Sequence, residues 1–241
     1  MNDGKPRILF LDIETKPAIV YTFGIRDQHI THKQIAQDGG VICVGLRWAG
    51  ERKVTVLSEW EHGWQGVIEE THRLISEADA VATYNGASFD MPKLMGCFLL
   101  AGLPPPPPPT QIDIYKAVRK LGFICNKLDY IAPLMGLGSK VKHEGLELWI
   151  KVMAGDAKAQ RRMVKYCAGD VRLTEDVYNR VIAYIPNHPH MGNTKSDACS
   201  ACGSTNTQSR GFRRTKSFKI ARIQCTDCGS WQSGKREKMA A

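Results

Sequence analysis

The segment Arg7-Ile-Leu-Phe-Leu-Asp-Ile-Glu-Thr15 constrains this chain more than any other. Four apolar residues, Ile8 to Leu11, run without a break into Asp12, Ile13 and Glu14. A short continuous apolar run bounded by polar residues reads as a strand buried on both faces. Side chains alternate across a strand, so Asp12 and Glu14 leave the same face about 6–7 Å apart. Two carboxylates on one face of a core strand are expensive to bury without a positive partner. A divalent cation held by oxygen ligands is one such partner. A strand that frays into solvent, leaving both acids hydrated, is the other reading of these residues alone.

Further along, Val41 to Trp48 and Lys53 to Leu57 read as two more strands around the turn at Gly50, an antiparallel meander with the first. Lys16 to Gly40 carries no pattern that assigns it. Trp64 to Ala78 has the apolar spacing of an amphipathic helix, and Asp79 to Tyr84 is a fourth strand. A helix then runs to about Gly102, with Ser88 as its N-cap and Pro92 in its first turn. Asp90 sits at that helix start, where capping alone explains an aspartate. The six prolines from Pro104 to Pro109 form a stiff connection, or a docking ligand, before a fifth strand at Gln111 to Tyr115. Asp113 on that strand is a rival acid. Short helices follow at 128–135 and 146–153. The loop between them carries Lys140, Lys142 and His143, either against phosphate or simply solvated. From Asp156 to Ile185 one long helix places Tyr166 and Asp170 four residues apart, hence adjacent on its surface. Strands and helices in this order predict an α/β fold with a mixed sheet.

The chain holds enough residues, 241, for one sizeable domain and a small one. The boundaries expected are 1–187 for the α/β domain, 188–197 for a polar linker, and 198–235 for a small β module with a basic tail to 241. Net charge is +9, yet residues 191–241 hold ten Lys or Arg against three acids, so the basic character belongs to the tail. That asymmetry fits a polyanionic partner there. No apolar stretch reaches the ~20 residues of a membrane span, and the polar start is not a secretory signal; a cytoplasmic protein with no membrane partner is expected.

Four acids stand together with their flanks: Phe10-Leu-Asp-Ile-Glu-Thr15, Tyr84-Asn-Gly-Ala-Ser-Phe-Asp90-Met-Pro, and Tyr166-Cys-Ala-Gly-Asp170-Val. In this order they resemble the three motifs of the DEDD superfamily of 3′–5′ exonucleases. The Tyr-x-x-x-Asp form of the third resembles the tyrosine branch, as in family-B polymerase proofreading and YprB-type domains. Leu128-Asp-Tyr-Ile-Ala and Leu137-Gly-Ser-Lys140 are similar to its connecting region. The similarity spans roughly residues 7–185 and leaves Asp113 outside it.

The resemblance implies an RNase H-like mixed five-stranded sheet flanked by helices and a two-metal phosphodiesterase. Four carboxylates carry enough charge for two Mg²⁺ or Mn²⁺ ions, which stabilise both ends of an in-line displacement. By resemblance, Asp12 bridges both ions, Glu14 and Asp170 complete the first site, and Asp90 supports the second. Tyr166 orients the attacking water, and Asn85 and Lys140 contact substrate. The implied activity is 3′–5′ removal of nucleoside 5′-monophosphates, with single-stranded DNA preferred to RNA and no nucleotide cofactor. A structure-specific endonuclease and a nucleic-acid-binding adaptor with a structural acid cluster are the rival classes.

The tail carries a separate signal. Cys199-Ser-Ala-Cys-Gly-Ser204 returns as Cys225-Thr-Asp-Cys-Gly-Ser230, 26 residues on. Two such knuckles can close four thiolates around one structural Zn²⁺, as in a zinc ribbon. The gap between the pairs, 22 residues, slightly exceeds the usual range, which a longer hairpin absorbs. The remaining cysteines, Cys43, Cys97, Cys125 and Cys167, read as reduced core residues. Arg213, Arg214, Lys216 and Lys219, with Phe212, Phe218 and Trp231 nearby, suit phosphate contact and base stacking; protein binding is the alternative.

Overall fold

A computed structural model describes residues 6–185, 188–192 and 198–239. Part of the expected linker, 193–197, and the last two residues of the basic tail lie outside the described residues. The first strand, β1, spans Ile8–Lys16. A small hairpin follows, β2 at Ile19–Val20 and β3 at Ile35–Gln37, then β4 at Gly40–Trp48 and β5 at Thr55–Ser58. Helix α1 (Glu59–Ser76), β6 (Ala80–Thr83), α2 (Asp90–Leu100) and β7 (Thr110–Asp113) come next. Helices α3 (Ile114–Arg119), α4 (Leu128–Leu134), α5 (Leu146–Met153) and α6 (Ala157–Val181) complete this part. The chain ends in β8 (Thr207–Arg214), β9 (Phe218–Cys225) and β10 (Trp231–Lys238).

Five strands form one mixed sheet in the order β5-β4-β1-β6-β7. The meander β1-β4-β5 is antiparallel, while β6 and β7 add in parallel on the other side of β1. The central place of β1 explains its composition. Leu9, Leu11 and Ile13 pack with Ile68 and Ile75 of α1 and Leu94 and Phe98 of α2. Ile8 and Phe10 face the other layer, with Ile131 of α4 and Val171, Val177 and Tyr178 of α6. By strand alternation, Asp12 and Glu14 continue the Ile8–Phe10 face. They therefore point toward α6.

Asp156 starts α6 by accepting from the backbone N–H groups of Lys158 and Ala159, both at 2.8 Å. The helix crosses β4 very closely at Gly45, which pairs with Asp12 across the strands. A Cβ at Gly45 would lie 2.7 Å from a Val171 methyl and 2.9 Å from Cys167 Sγ. Further along, Glu175 pins the helix to the end of β4: it pairs with Arg47 Nε at 3.0 Å and accepts from Gly50 N–H at 3.1 Å.

Several local expectations shift. Phe89, not Ser88, precedes α2, and no side chain caps that helix. The fifth strand stops at Asp113, because Ile114 and Tyr115 open α3. Helix α1 begins five residues before Trp64, with a break at Gly63, whose φ of 67° departs from helix. The unassigned stretch after β1 contains the β2–β3 hairpin.

The C-terminal strands form their own antiparallel sheet, order β10-β9-β8. Its cysteine end is not free-standing: Cys199, Ala201 and Cys225 share one apolar cluster with Val177, Tyr178, Val181 and Ile182. The Tyr178 hydroxyl also meets His188 Nε2 at 2.6 Å. Among the described residues, no helix is long and apolar enough to cross a membrane.

Candidate active site and cysteine cluster

The four acids come from three separate elements. Asp12 and Glu14 lie on β1, Asp90 is the first residue of α2, and Asp170 lies midway along α6. Glu14, Asp90 and Asp170 are 7 %, 4 % and 2 % exposed, while Asp12 keeps partial access to solvent. Asp90 Oδ1 accepts from the Ile13 backbone N–H at 3.0 Å, which ties the start of α2 to the strand between the two β1 acids. Lys140, from the loop between α4 and α5, donates to Asp170 Oδ2 at 2.6 Å. Asp170 Oδ1 is buried with no hydrogen-bond partner.

The Lys140 ammonium acts on three of the carboxylates, Asp170, Asp12 and Glu14, and the protonation of the acids reflects that shortage of positive charge. Burial first, then Asp90, Glu14 and Asp170, push the Asp12 carboxyl well above its usual range, against the pull of Lys140. Glu14 is pushed up to about 8 by burial and by Asp170. Asp90 reaches about 6, chiefly through burial, with the Ile13 N–H opposing. Such a cluster favours a cation, and its carboxylate oxygens suit a hard one. The donor atoms that lie within 4.8 Å of one another are those of Asp12, Glu14 and Cys167, without Asp90 or Asp170.

Tyr166 lies one helical turn before Asp170. Burial, followed by Asp170, Glu14 and Asp12, holds its phenol protonated above the ordinary tyrosine range. Its hydroxyl donates a hydrogen bond to the Asp170 carboxylate. The ring is fixed by edge contacts to His143 at 4.7 Å and Trp149 at 6.2 Å, with Lys140 5.6 Å from its centre. His143 thus packs on an aromatic pair, not in a free loop.

Asn85 takes a left-handed backbone with φ of 71°, and its N–H donates to Asp113 Oδ1 at 3.0 Å. Asp113 lies close enough to push the Asp90 carboxyl up, and it shapes the loop that leads to that residue. The residue that sequence reasoning missed is Cys167. Its Sγ and one carboxylate oxygen each of Asp12 and Glu14 lie within 4.8 Å of one another.

At the other end of α6 the four thiols of Cys199, Cys202, Cys225 and Cys228 converge within 4.8 Å. Cys199 and Cys228 Sγ are 3.6 Å apart, Cys202 and Cys225 Sγ 3.7 Å. Four sulfurs each ~2.3 Å from one Zn²⁺ would stand about 3.8 Å apart, so the set fits that ion. Each knuckle repeats one pattern: Gly203 N–H donates to Cys199 O, and Gly229 N–H to Cys225 O. Both glycines have φ above 70°, a conformation other residues rarely adopt. Arg213 and Arg214 lie on β8, Lys216 in the turn and Lys219 on β9, all on the second sheet and outside the acid cluster. Lys219 Nζ stands 4.0 Å above the Phe212 ring and 3.7 Å from Glu237.

A family model for the RNase H superfamily matches residues 9–182. The chain belongs to the RNase H superfamily. No curated protein matches. Among solved structures, the family B DNA polymerase of the hyperthermophilic archaeon Pyrobaculum calidifontis is similar in fold, with a TM-score of 0.57 and 19% sequence identity. The alignment covers 74% of this chain and 25% of the polymerase, so the match spans about a quarter of that protein's length. Membership of the RNase H superfamily suggests nuclease activity and implies a nucleic-acid substrate.

Proposed function

We propose that this protein is a two-metal-ion 3′–5′ exonuclease acting preferentially on single-stranded DNA and releasing nucleoside 5′-monophosphates. The observation that carries the reading is proximity: Asp90 of α2, Glu14 of β1 and Asp170 of α6 all push up the buried Asp12 carboxyl, and Asp170 Oδ1 is buried without a hydrogen-bond partner. Asp12, Glu14 and Asp170 would hold one Mg²⁺ or Mn²⁺, and Asp12 with Asp90 the second. Bound there, the ions would supply positive charge to the attacking water and the leaving 3′ oxygen.

The chain's own groups do the rest. Tyr166, one helical turn before Asp170, would orient the attacking water. Its His143 and Trp149 packing fixes that direction, a pre-organisation worth more than a mobile donor. Lys140 brings an ammonium to the substrate side of Asp170, and the Asn85 loop, braced by Asp113, lines the approach. The cysteine cluster holds a structural Zn²⁺, and Arg213, Arg214, Lys216 and Lys219 retain the strand electrostatically.

The test uses 5′-labelled single-stranded DNA and RNA with Mg²⁺ or Mn²⁺, comparing wild type with Asp12→Asn. A stepwise ladder on DNA that disappears in the variant supports the proposal, and a stronger ladder on RNA moves the preference. Discrete internal cuts would make it an endonuclease. No metal-dependent cleavage of either polymer overturns the enzyme reading.

A further inference from the structure

Two residues beyond Glu14 the chain leaves β1 and builds a projection unrelated to the five-stranded sheet. The β2–β3 hairpin is short, held by Ile19 opposite Gln37 and by Tyr21 N–H donating to Gln34 O at 2.8 Å. Its tip organises its own polar groups. Thr22 Oγ1 donates to Gly24 O at 2.7 Å, Gln28 Nε2 to Arg26 O at 2.7 Å, and Thr31 N–H to Gln34 Oε1 at 3.0 Å. The apolar side chains go the other way. Tyr21, Phe23 and Ile25, at alternate positions, are 76 %, 110 % and 96 % exposed.

Such exposure is unfavourable in water unless something covers it. The chemistry around it identifies the occupant. Arg26 and Lys33 outnumber Asp27, giving the loop from Tyr21 to Gln37 a positive balance before its two histidines are counted. Aromatic rings among cations suit unpaired bases on a phosphate backbone. At the foot of the hairpin, Lys16, Gln37, Asp38, Glu59, Trp60 and Met153 are among the residues that line a cavity of about 420 Å³, where Lys16 donates to Glu59 at 2.8 Å. That volume lies within the range of small-ligand pockets.

We propose that the hairpin between β1 and β4 is a strand guide: Tyr21 and Phe23 stack on unpaired bases of a nucleic-acid strand, so the polymer bound is a single strand or a frayed end. This rests on the exonuclease reading above and adds the residues that select for unpaired nucleic acid. Stacking on each ring strengthens binding by about 5- to 150-fold and depends little on sequence.

The experiment compares wild type, Tyr21→Ala/Phe23→Ala and Tyr21→Trp/Phe23→Trp, all as full-length protein. Binding of fluorescent single-stranded oligo(dT) is followed by anisotropy without divalent cation. Cleavage kinetics are measured on the oligomer and on thymidine 5′-(4-nitrophenyl phosphate), which has no neighbouring base. We expect the double alanine variant to raise both Kd and KM for the oligomer by about tenfold or more. Its kcat and its turnover of the aryl ester should stay within about twofold, and the tryptophan pair should restore binding with quenched emission. Unchanged oligomer KM in a variant that still cleaves overturns the guide and leaves the exonuclease standing. Equal losses on oligomer and ester also overturn it, since the hairpin would then only support β1. Hairpin-dependent binding without any cleavage by wild type would uphold the guide and refute the exonuclease.

Discussion

Replacing Gly45 by alanine tests how the site is assembled without touching a charged residue. The new methyl would lie 2.7 Å from Val171 Cγ2 and 2.9 Å from Cys167 Sγ, with the Cys167 carbonyl at 3.4 Å. Val171 is β-branched and stiff, so it cannot rotate freely out of the way. The strand is the central layer of a packed sheet, so α6 must yield. Restoring ordinary contact moves the helix outward by about 0.7 Å, and Asp170, next to Val171, moves with it. Overpacking of this kind costs about 1–3 kcal/mol. A displacement approaching 1 Å at reacting groups lowers turnover by up to about 10²-fold. Urea denaturation should show a lower midpoint, and saturating kinetics with Mg²⁺ should show kcat reduced about 10- to 100-fold with little change in KM. Gly96→Ala is the matched control. It lies inside α2, its Cβ would meet nothing within 4 Å, and it should stabilise by about 0.5–1 kcal/mol without changing cleavage. Wild-type stability and turnover in Gly45→Ala would show that the close helix–strand approach does not position Asp170.

Four further outcomes are expected. Asp12→Asn should abolish cleavage yet raise the unfolding midpoint measured without divalent cation, because it relieves the repulsion from Asp90, Glu14 and Asp170; a lowered midpoint would contradict this. The pH dependence follows from the same groups: folded-state values near 8 for Glu14 and 6 for Asp90 exceed the unfolded ones. Their contribution to stability is therefore fullest below the unfolded values and falls as pH rises through about 6 and then 8. Denaturation profiles should show that loss, and added Mn²⁺ should reduce it. Metal analysis should find one Zn²⁺ per chain, and Cys225→Ser should lose it. Hydrogen exchange in that variant should then rise at Thr174–Ile182 as well as in the three-stranded sheet, whereas a change confined to the sheet would deny the shared packing. Substituting Arg213, Arg214 and Lys216 by alanine should raise KM for DNA and flatten the salt slope by about three units, read from binding titrations at several salt concentrations.

Side-chain parity made much of the site legible. Ile8 and Phe10 do face α6, so placing Asp12 and Glu14 on their side of β1 followed from strand alternation alone. The long helix was equally readable, since Met163, Cys167, Val171, Thr174 and Val181 recur at helical spacing and are buried. What escaped depends on partners distant in sequence. Gly45 looked like any strand glycine, because the methyl that excludes a side chain there belongs to Val171. Cys167 looked like a core cysteine, and only the arrival of β1 places its sulfur beside two carboxylates. Asp113 read as an acid on a strand, yet its acceptor serves the backbone of Asn85, 28 residues earlier. The hairpin after β1 was unreadable because its strands are two and three residues long and its apolar residues face outward, giving no buried periodicity.

The shared cluster at the end of α6 has a practical consequence for dissecting this protein. The helix, 25 residues and roughly 37 Å long, carries Tyr166 and Asp170 near its middle and Tyr178 and Val181 beneath the cysteines. A truncation before Ala198 would leave that apolar end wet, so lost binding in a shortened protein would mix a missing grip with a loosened catalytic helix. Point changes on the exposed cations of β8 and β9 separate the two. A graft meets the same obstacle from the other side. The cysteine module moved to another nuclease would arrive with an uncovered underside at Ala201, and would need a helix end shaped like Val177–Ile182 to receive it.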